Sequence, residues 1–215
     1  MREARLLDYD EADLVVPDGT APPAELPAAV FAAAADAYAR GRRLDMQSLA
    51  RRLGVARATL YRQAGNRDQL LDQVLWWRAR VLVAEQVRST AGAAGVPRIT
   101  AVIAGVMHAI ERDRALRTFL EADPEAALRI LTGTRSIVQR GMAAALENLI
   151  ELERRRGAFT ADLDTPTLAY AILRICEAFL YADVIADADR DIGRAVTVIE
   201  ALLTGLDRRP RAGPG

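Results

Sequence analysis

Eight arginines (Arg40, Arg42, Arg43, Arg51, Arg52, Arg57, Arg62 and Arg67) lie within one short segment that holds a single acid, Asp45. Their sum is a local charge of +7 in a chain whose formal total is zero. Guanidinium groups bind phosphate oxygens through paired N–H donors, and a concentrated positive field draws in a polyanion. One such arginine alone reads equally well as a solvated charge, but eight together point to nucleic acid. Other chemistry is sparse. His108 and Cys176 are the only residues of their types, and all 29 basic residues are arginine. Without lysine, Schiff-base catalysis and a phosphate-loop lysine are excluded. A single cysteine excludes an internal disulfide and a multi-cysteine zinc site, and Cys176 reads as a small buried apolar residue. Asp162 and Asp164 stand at a helix start, where capping accounts for them. No metal-ligand spacing, glycine-rich phosphate loop or serine elbow is present, so no enzyme, cofactor or metal is expected.

At 215 residues, with 51% apolar and 27% charged residues, the chain suffices for a folded core. No apolar run approaches the roughly 20 residues that span a bilayer. The acidic start MREARLLDYDEADLVV lacks the basic head and apolar run of a signal peptide, so a cytoplasmic protein without a membrane partner is expected.

The elements that must position the arginines are helical. Residues 1–23 read as an acidic, mobile or loosely docked arm, and residues 208–215 as a fraying tail. Pro27 opens a helix with Val30, Phe31, Ala34, Ala35 and Tyr38 on one face, and Gly41 stops it. Asp45 caps a short helix that Gly54 closes, and Ala56 to Ala64 forms another. Asn66 and Gln69 have the spacing of a capping box, opening a long amphipathic helix towards Ala91. Further helices are expected from Pro97 to Ile110, Ala115 to Glu121, Pro124 to Leu131 and Thr134 to Arg156. The last two run from Asp164 to Ala186 and from Asp191 to Leu206. The sum is an all-α chain of nine or ten helices. Gly54 supplies the positive φ at which two short helices turn steeply, with Leu53 and Val55 anchoring the turn, so residues 45–64 form a helix–turn–helix. Leu49, Leu60 and Tyr61 are expected to pack against Phe31, Tyr38 and Leu71.

The stretch Leu49-Ala50-Arg51-Arg52-Leu53-Gly54-Val55-Ala56-Arg57-Ala58-Thr59-Leu60-Tyr61, with Asn66-Arg67-Asp68-Gln69-Leu70-Leu71, resembles the TetR family of bacterial transcriptional repressors. The resemblance covers roughly residues 28–75. It implies a three-helix DNA-binding domain at 24–72, followed at 73–207 by a helical bundle that binds ligand and dimerises. Arg57, Tyr61 and Arg67 match positions that hold phosphates, which fixes register without reading sequence. Thr59, Arg62 and Gln63 are the candidates for base edges, since Arg suits guanine and Gln suits adenine in the major groove. Arg42, Arg43 and Gln47 add backbone contacts. Two departures stand out: Ala56 occupies a position usually held by Ser or Thr, and Gln63-Ala64 replaces an aromatic pair.

The resemblance further implies a homodimer through the last two helices, a palindromic double-stranded DNA operator and a small-molecule effector that displaces the helix from Leu70 to Ala91. Candidate pocket residues are Trp76, Trp77, Met107, His108, Phe119, Tyr170 and Phe179, although aromatic and Met residues at helical spacing serve a core equally well. The segment Leu116 to Thr132 is similar to a TetR subgroup that includes regulators of quorum-signal degradation, which implies a lactone or acyl-chain effector. The alternative is a helical interaction protein that keeps the fold without specific DNA binding.

Overall fold

The computed structural model describes residues 11–16 and 26–208, and all twelve elements found there are helices. They are α1 (Glu11–Val15), α2 (Ala28–Ala39), α3 (Met46–Leu53), α4 (Arg57–Ala64), α5 (Arg67–Ser89) and α6 (Gly95–Arg112). Then follow α7 (Arg114–Ala122), α8 (Pro124–Thr132), α9 (Ile137–Arg155), α10 (Thr165–Leu180), α11 (Ala182–Ile185) and α12 (Ile192–Leu206). The nine or ten helices expected correspond to the ten of eight residues or more; the short α1 and α11 are additional. Among the described residues, no helix is long and apolar enough to cross a membrane. The expectations for residues 1–10, 17–23 and 209–215 lie outside the described residues.

Local signals set most helix ends. Asp45 caps α3 through bonds from the Gln47 and Ser48 amides, and these hold its carboxyl below the usual carboxylate range. Asp113, Asp123, Asp164 and Asp191 likewise cap α7, α8, α10 and α12. Two starts differ from the sequence reading because their caps come from distant helices. Helix α6 begins at Gly95, two residues before Pro97, where the Gly95 amide donates to Glu153 Oε2 at 2.6 Å. Helix α9 begins at Ile137 rather than Thr134. Asp72 of α5 accepts there from the Ile137 amide (2.7 Å), the Val138 amide (3.0 Å) and the Ser136 hydroxyl (2.8 Å).

The chain divides into two compact units. One comprises the described residues of Asp18–Val81 and Ile110–Gly141, with a core that includes Val30, Ala34, Leu49, Leu60, Leu70, Val74, Trp76 and Ala127. Gly141 belongs to this core: a Cβ there would fall 2.3 Å from the Trp76 ring, so the close approach of the indole requires glycine. The other comprises those of Met1–Pro17, Leu82–Ala109 and Met142–Gly215, where α10 packs on α12 and Leu168, Ile172, Ile199 and Leu203 of these helices are buried. Cys176 is buried in this second unit, and desolvation pushes its thiol up to about 12, which leaves it inert.

Candidate nucleic-acid interface

Helices α3 and α4 pack on one another, and α3 packs on α2. Gly54 makes the turn at φ 67°, and the Val55 amide donates back to Ala50 O at 3.1 Å. Ala50, nearly fully buried, lets the two helices approach closely. Helix α4 starts at Ala56 in extended conformation with no side-chain cap, as the Ser/Thr-to-Ala departure implies. Leu60 and Ala64 are its buried residues, while Arg57, Ala58, Tyr61 and Arg62 are exposed and Thr59 and Gln63 half-buried. Tyr61, with expectations both of packing against Phe31, Tyr38 and Leu71 and of meeting a phosphate, is 41% exposed, and its ring lies under the Arg57 guanidinium at 6.0 Å. Around its solvent-accessible side α4 thus carries a cation, an aromatic ring and a second cation, with two half-buried neutral hydrogen-bonding side chains beside them, the inventory of a groove-binding helix.

The eight arginines are not equally available. Arg40 and Arg42 share Asp36 at 2.7 and 2.6 Å, and the hydrogen bond from Arg40 holds that carboxyl below its usual range. Arg51 donates to the Ser48 hydroxyl and Arg52 to Ala33 O. Arg43, Arg57 and Arg62 are exposed and form no ion pair among the described residues. Gln47 is also exposed, in the first turn of α3. Arg67 differs most from the role the resemblance implies. It is mostly covered, with Nη1 2.9 Å from Asp123 and 3.5 Å from Asp68, and its guanidinium lies over the Phe119 ring.

Arg67 opens α5, whose start is fixed by the expected capping box. The Asn66 amide donates to Gln69 Oε1 and the Gln69 amide to Asn66 Oδ1, both at 2.9 Å. Gly65, at φ 70°, is required here: a Cβ would fall 2.2 Å from the capping Gln69 Oε1. The same first turn is tied to α7 and α8 by two crossed pairs, Arg67–Asp123 and Asp68–Arg129 (2.7 Å), and further along α5 by Arg78–Asp113 (3.0 Å). These pairs join residues 35 to 61 positions apart, and no local sequence signal announces them.

The seven candidate pocket residues are divided between the two units. Trp76, Trp77 and Phe119 belong to one unit, and Met107, His108, Tyr170 and Phe179 to the other. Trp76, Met107 and Phe119 are buried, and His108 and Phe179 half-buried. Trp77 is 41% exposed with its ring edge-on to Phe31, and Tyr170 is 58% exposed beside Arg174. Among the described residues the buried Trp76 indole N–H has no acceptor, and the buried Gln73 side-chain oxygen one turn earlier has no donor.

A helix–turn–helix with an exposed arginine-bearing second helix, among described residues whose remaining elements are all helical, defines a DNA-binding regulator of the helical type. Residues 32–74 match the bacterial regulatory proteins of the tetR family, and residues 94–204 match the Tetracyclin repressor-like, C-terminal domain. The chain belongs to the TetR family. The structure of the R. erythropolis transcriptional repressor QsdR, from the TetR family, is 31% identical, with 85% of this chain and 96% of that chain covered and a TM-score of 0.72. The TetR family transcriptional regulator PfmR from Thermus thermophilus is 18% identical, with 85% of this chain and 100% of that chain covered and a TM-score of 0.43. No curated protein matches the sequence.

Proposed function

We propose that the protein is a transcriptional repressor that binds a palindromic operator as a homodimer and is released by a small apolar effector of lactone or acyl-chain type. The observation that carries this reading is the face of α4, where Arg57, Tyr61 and Arg62 stand exposed with no acidic partner among the described residues. Arg43, Arg57 and Tyr61 then bind phosphates, and Thr59, Arg62 and Gln63 meet base edges. Gln47 and Arg42 make secondary backbone contacts, and Arg67 serves mainly to hold α5 in place. Residues 24–72 act on DNA, and 73–207 bind effector and the second protomer.

Dimerisation is assigned to α10 and α12. In its support, Tyr170 on α10 and Val198 on α12 are large exposed apolar side chains on two helices that pack together. For the effector, Leu116 to Thr132 folds as most of α7 and all of α8, and Asp123 and Arg129 of this segment grip the first turn of α5. A molecule that repacks α7 and α8 thereby acts on the helix that follows the DNA-binding elements, provided its affinity differs between the two arrangements. The unpaired Trp76 N–H is a fitting donor to the carbonyl of such a ligand.

Selection of bound duplexes from a random-sequence pool tests the reading. Wild-type protein is expected to recover an inverted repeat whose half-sites lie about 34–36 Å apart. The Arg57→Ala/Arg62→Ala double variant is expected to recover no motif. Wild-type protein that enriches no shared sequence contradicts the repressor and leaves a fold retained for protein interaction, to which the uncapped α4 lends its one supporting observation.

A further inference from the structure

Glu11, on α1, reaches a cluster of charges within its own unit that the proposed DNA and effector functions leave unused. Arg98, in the first turn of α6, is fully buried, and its Nη1 donates to Glu153 Oε1 at 2.9 Å. Glu153, itself fully buried on α9, also accepts from the Gly95 amide and, at 3.3 Å, from Arg156. The second carboxylate of the cluster is Glu11, whose two oxygens are divided between Arg98 Nη2 and Arg156 Nη2. Burial alone pushes the Glu11 carboxyl up, but hydrogen bonds from the two arginines outweigh this and bring it below its usual value. The edge formed by Glu11 and Arg156 opens to solvent, each side chain being about one-third exposed.

Two arginines and two glutamates sum to zero; without Glu11 the cluster carries +1, with one guanidinium wholly out of water. Arg98 then keeps Glu153 but its Nη2 loses its carboxylate and the net charge goes unbalanced beside a buried pair, an arrangement that another anion would relieve. Two forked guanidinium groups, spaced so that each takes one oxygen, form a receptor for a planar carboxylate. The group now seated there is carried by a five-residue helix, too short to persist by itself; Ala12, Val15 and the following Val16 are buried, and Val15 O accepts from Asn148 Nδ2 at 3.1 Å. Arg98 Nε, moreover, is buried with no acceptor among the described residues.

We infer that Arg98 and Arg156 form a carboxylate-binding site that Glu11 occupies as an internal ligand, so that an external carboxylic acid competes with the N-terminal strap and releases it. None of the residues in this cluster belongs to the α4 face or to the candidate effector residues, so the inference stands independently of the repressor reading.

The test uses the full chain with sodium octanoate as probe, ionic strength being held constant with chloride. In wild-type protein, hydrogen–deuterium exchange of residues 11–16 is expected to rise in a saturable way with octanoate, while α10 and α12 keep their protection. The Arg156→Ala variant is expected to lose that response. In a parallel measurement, the Glu11→Ala variant is expected to melt lower than wild type and to be restored by octanoate at a half-saturating concentration at least tenfold below that which frees the wild-type strap. Unchanged strap protection in wild type at all octanoate concentrations overturns the inference and leaves Glu11 a purely structural ion pair. A response that survives in Arg156→Ala overturns it equally, since binding then occurs elsewhere. Should Glu11→Ala fail to fold, the wild-type and Arg156→Ala exchange data decide alone.

Discussion

Alanine substitutions at Arg57 and Arg67 separate two roles that the resemblance assigns alike and the geometry assigns differently. Arg57 is exposed, with only the Tyr61 ring beside it, whereas Arg67 is held by Asp123 at 2.9 Å and covers Phe119. If Arg57 neutralises one phosphate per protomer, its loss removes two contacts from the dimer and flattens the plot of log K against log salt by about 1.8. Between about 50 and 200 mM salt, that change makes the affinity loss of the variant roughly twelvefold smaller than that of wild type. The partly buried Arg67 pair is worth about 1 kcal/mol, so Arg67→Ala lowers Tm by about 2–4 °C while leaving the salt slope as it was. Anisotropy titrations of a labelled operator at several salt concentrations give the slopes, and circular dichroism melts give Tm. A flattened slope for Arg67→Ala, with an unchanged Tm, would refute the assignment of Arg67 to a structural clamp.

Asp72→Ala strips three donors at the start of α9 of their acceptor, which costs about 3 kcal/mol and lowers Tm by about 6–12 °C; a fall of less than about 2 °C in a thermal melt contradicts the remote cap. Glu177 gives a pH signature. Burial pushes its carboxyl up to about 7 despite the Arg174 partner at 2.6 Å, so its stabilising effect is present below about 4.5 and is lost as pH rises through about 7. The Glu177→Gln variant, fixed in the neutral form, should therefore gain stability relative to wild type between about pH 5 and 8, by about 3 kcal/mol at most. Parallel melts whose difference does not change with pH contradict that reading.

The sequence carries the fold where one short stretch holds the whole signal. Asp45, the Asn66–Gln69 box, Gly54, Asp164 and Asp191 each act within a few residues, and all sit at the helix ends where the pattern places them. Signals that cross between helices stay silent. Nothing near Pro97 or Thr134 indicates that Glu153 and Asp72 cap α6 and α9, so both starts are misplaced by two or three residues. Periodicity also fails to separate a buried aromatic from an exposed one: Trp76 and Trp77 are neighbours on α5, one fully enclosed and the other 41% exposed. In the candidate interface, the charge excess at residues 40–67 is plain, but the acids that offset it, Asp36 and Asp123, lie outside that segment. Which arginines remain available therefore emerges only from the folded chain.

Titration of the protein against the DNA upstream of its own coding region, beside a scrambled duplex of equal length at the same salt, tests the central claim most directly. The account predicts saturable binding to the upstream fragment with two protomers per site, and far weaker, steeply salt-sensitive binding to the scrambled duplex. Equal affinity for both, lost together as salt rises, would contradict sequence recognition at that site by the α4 face.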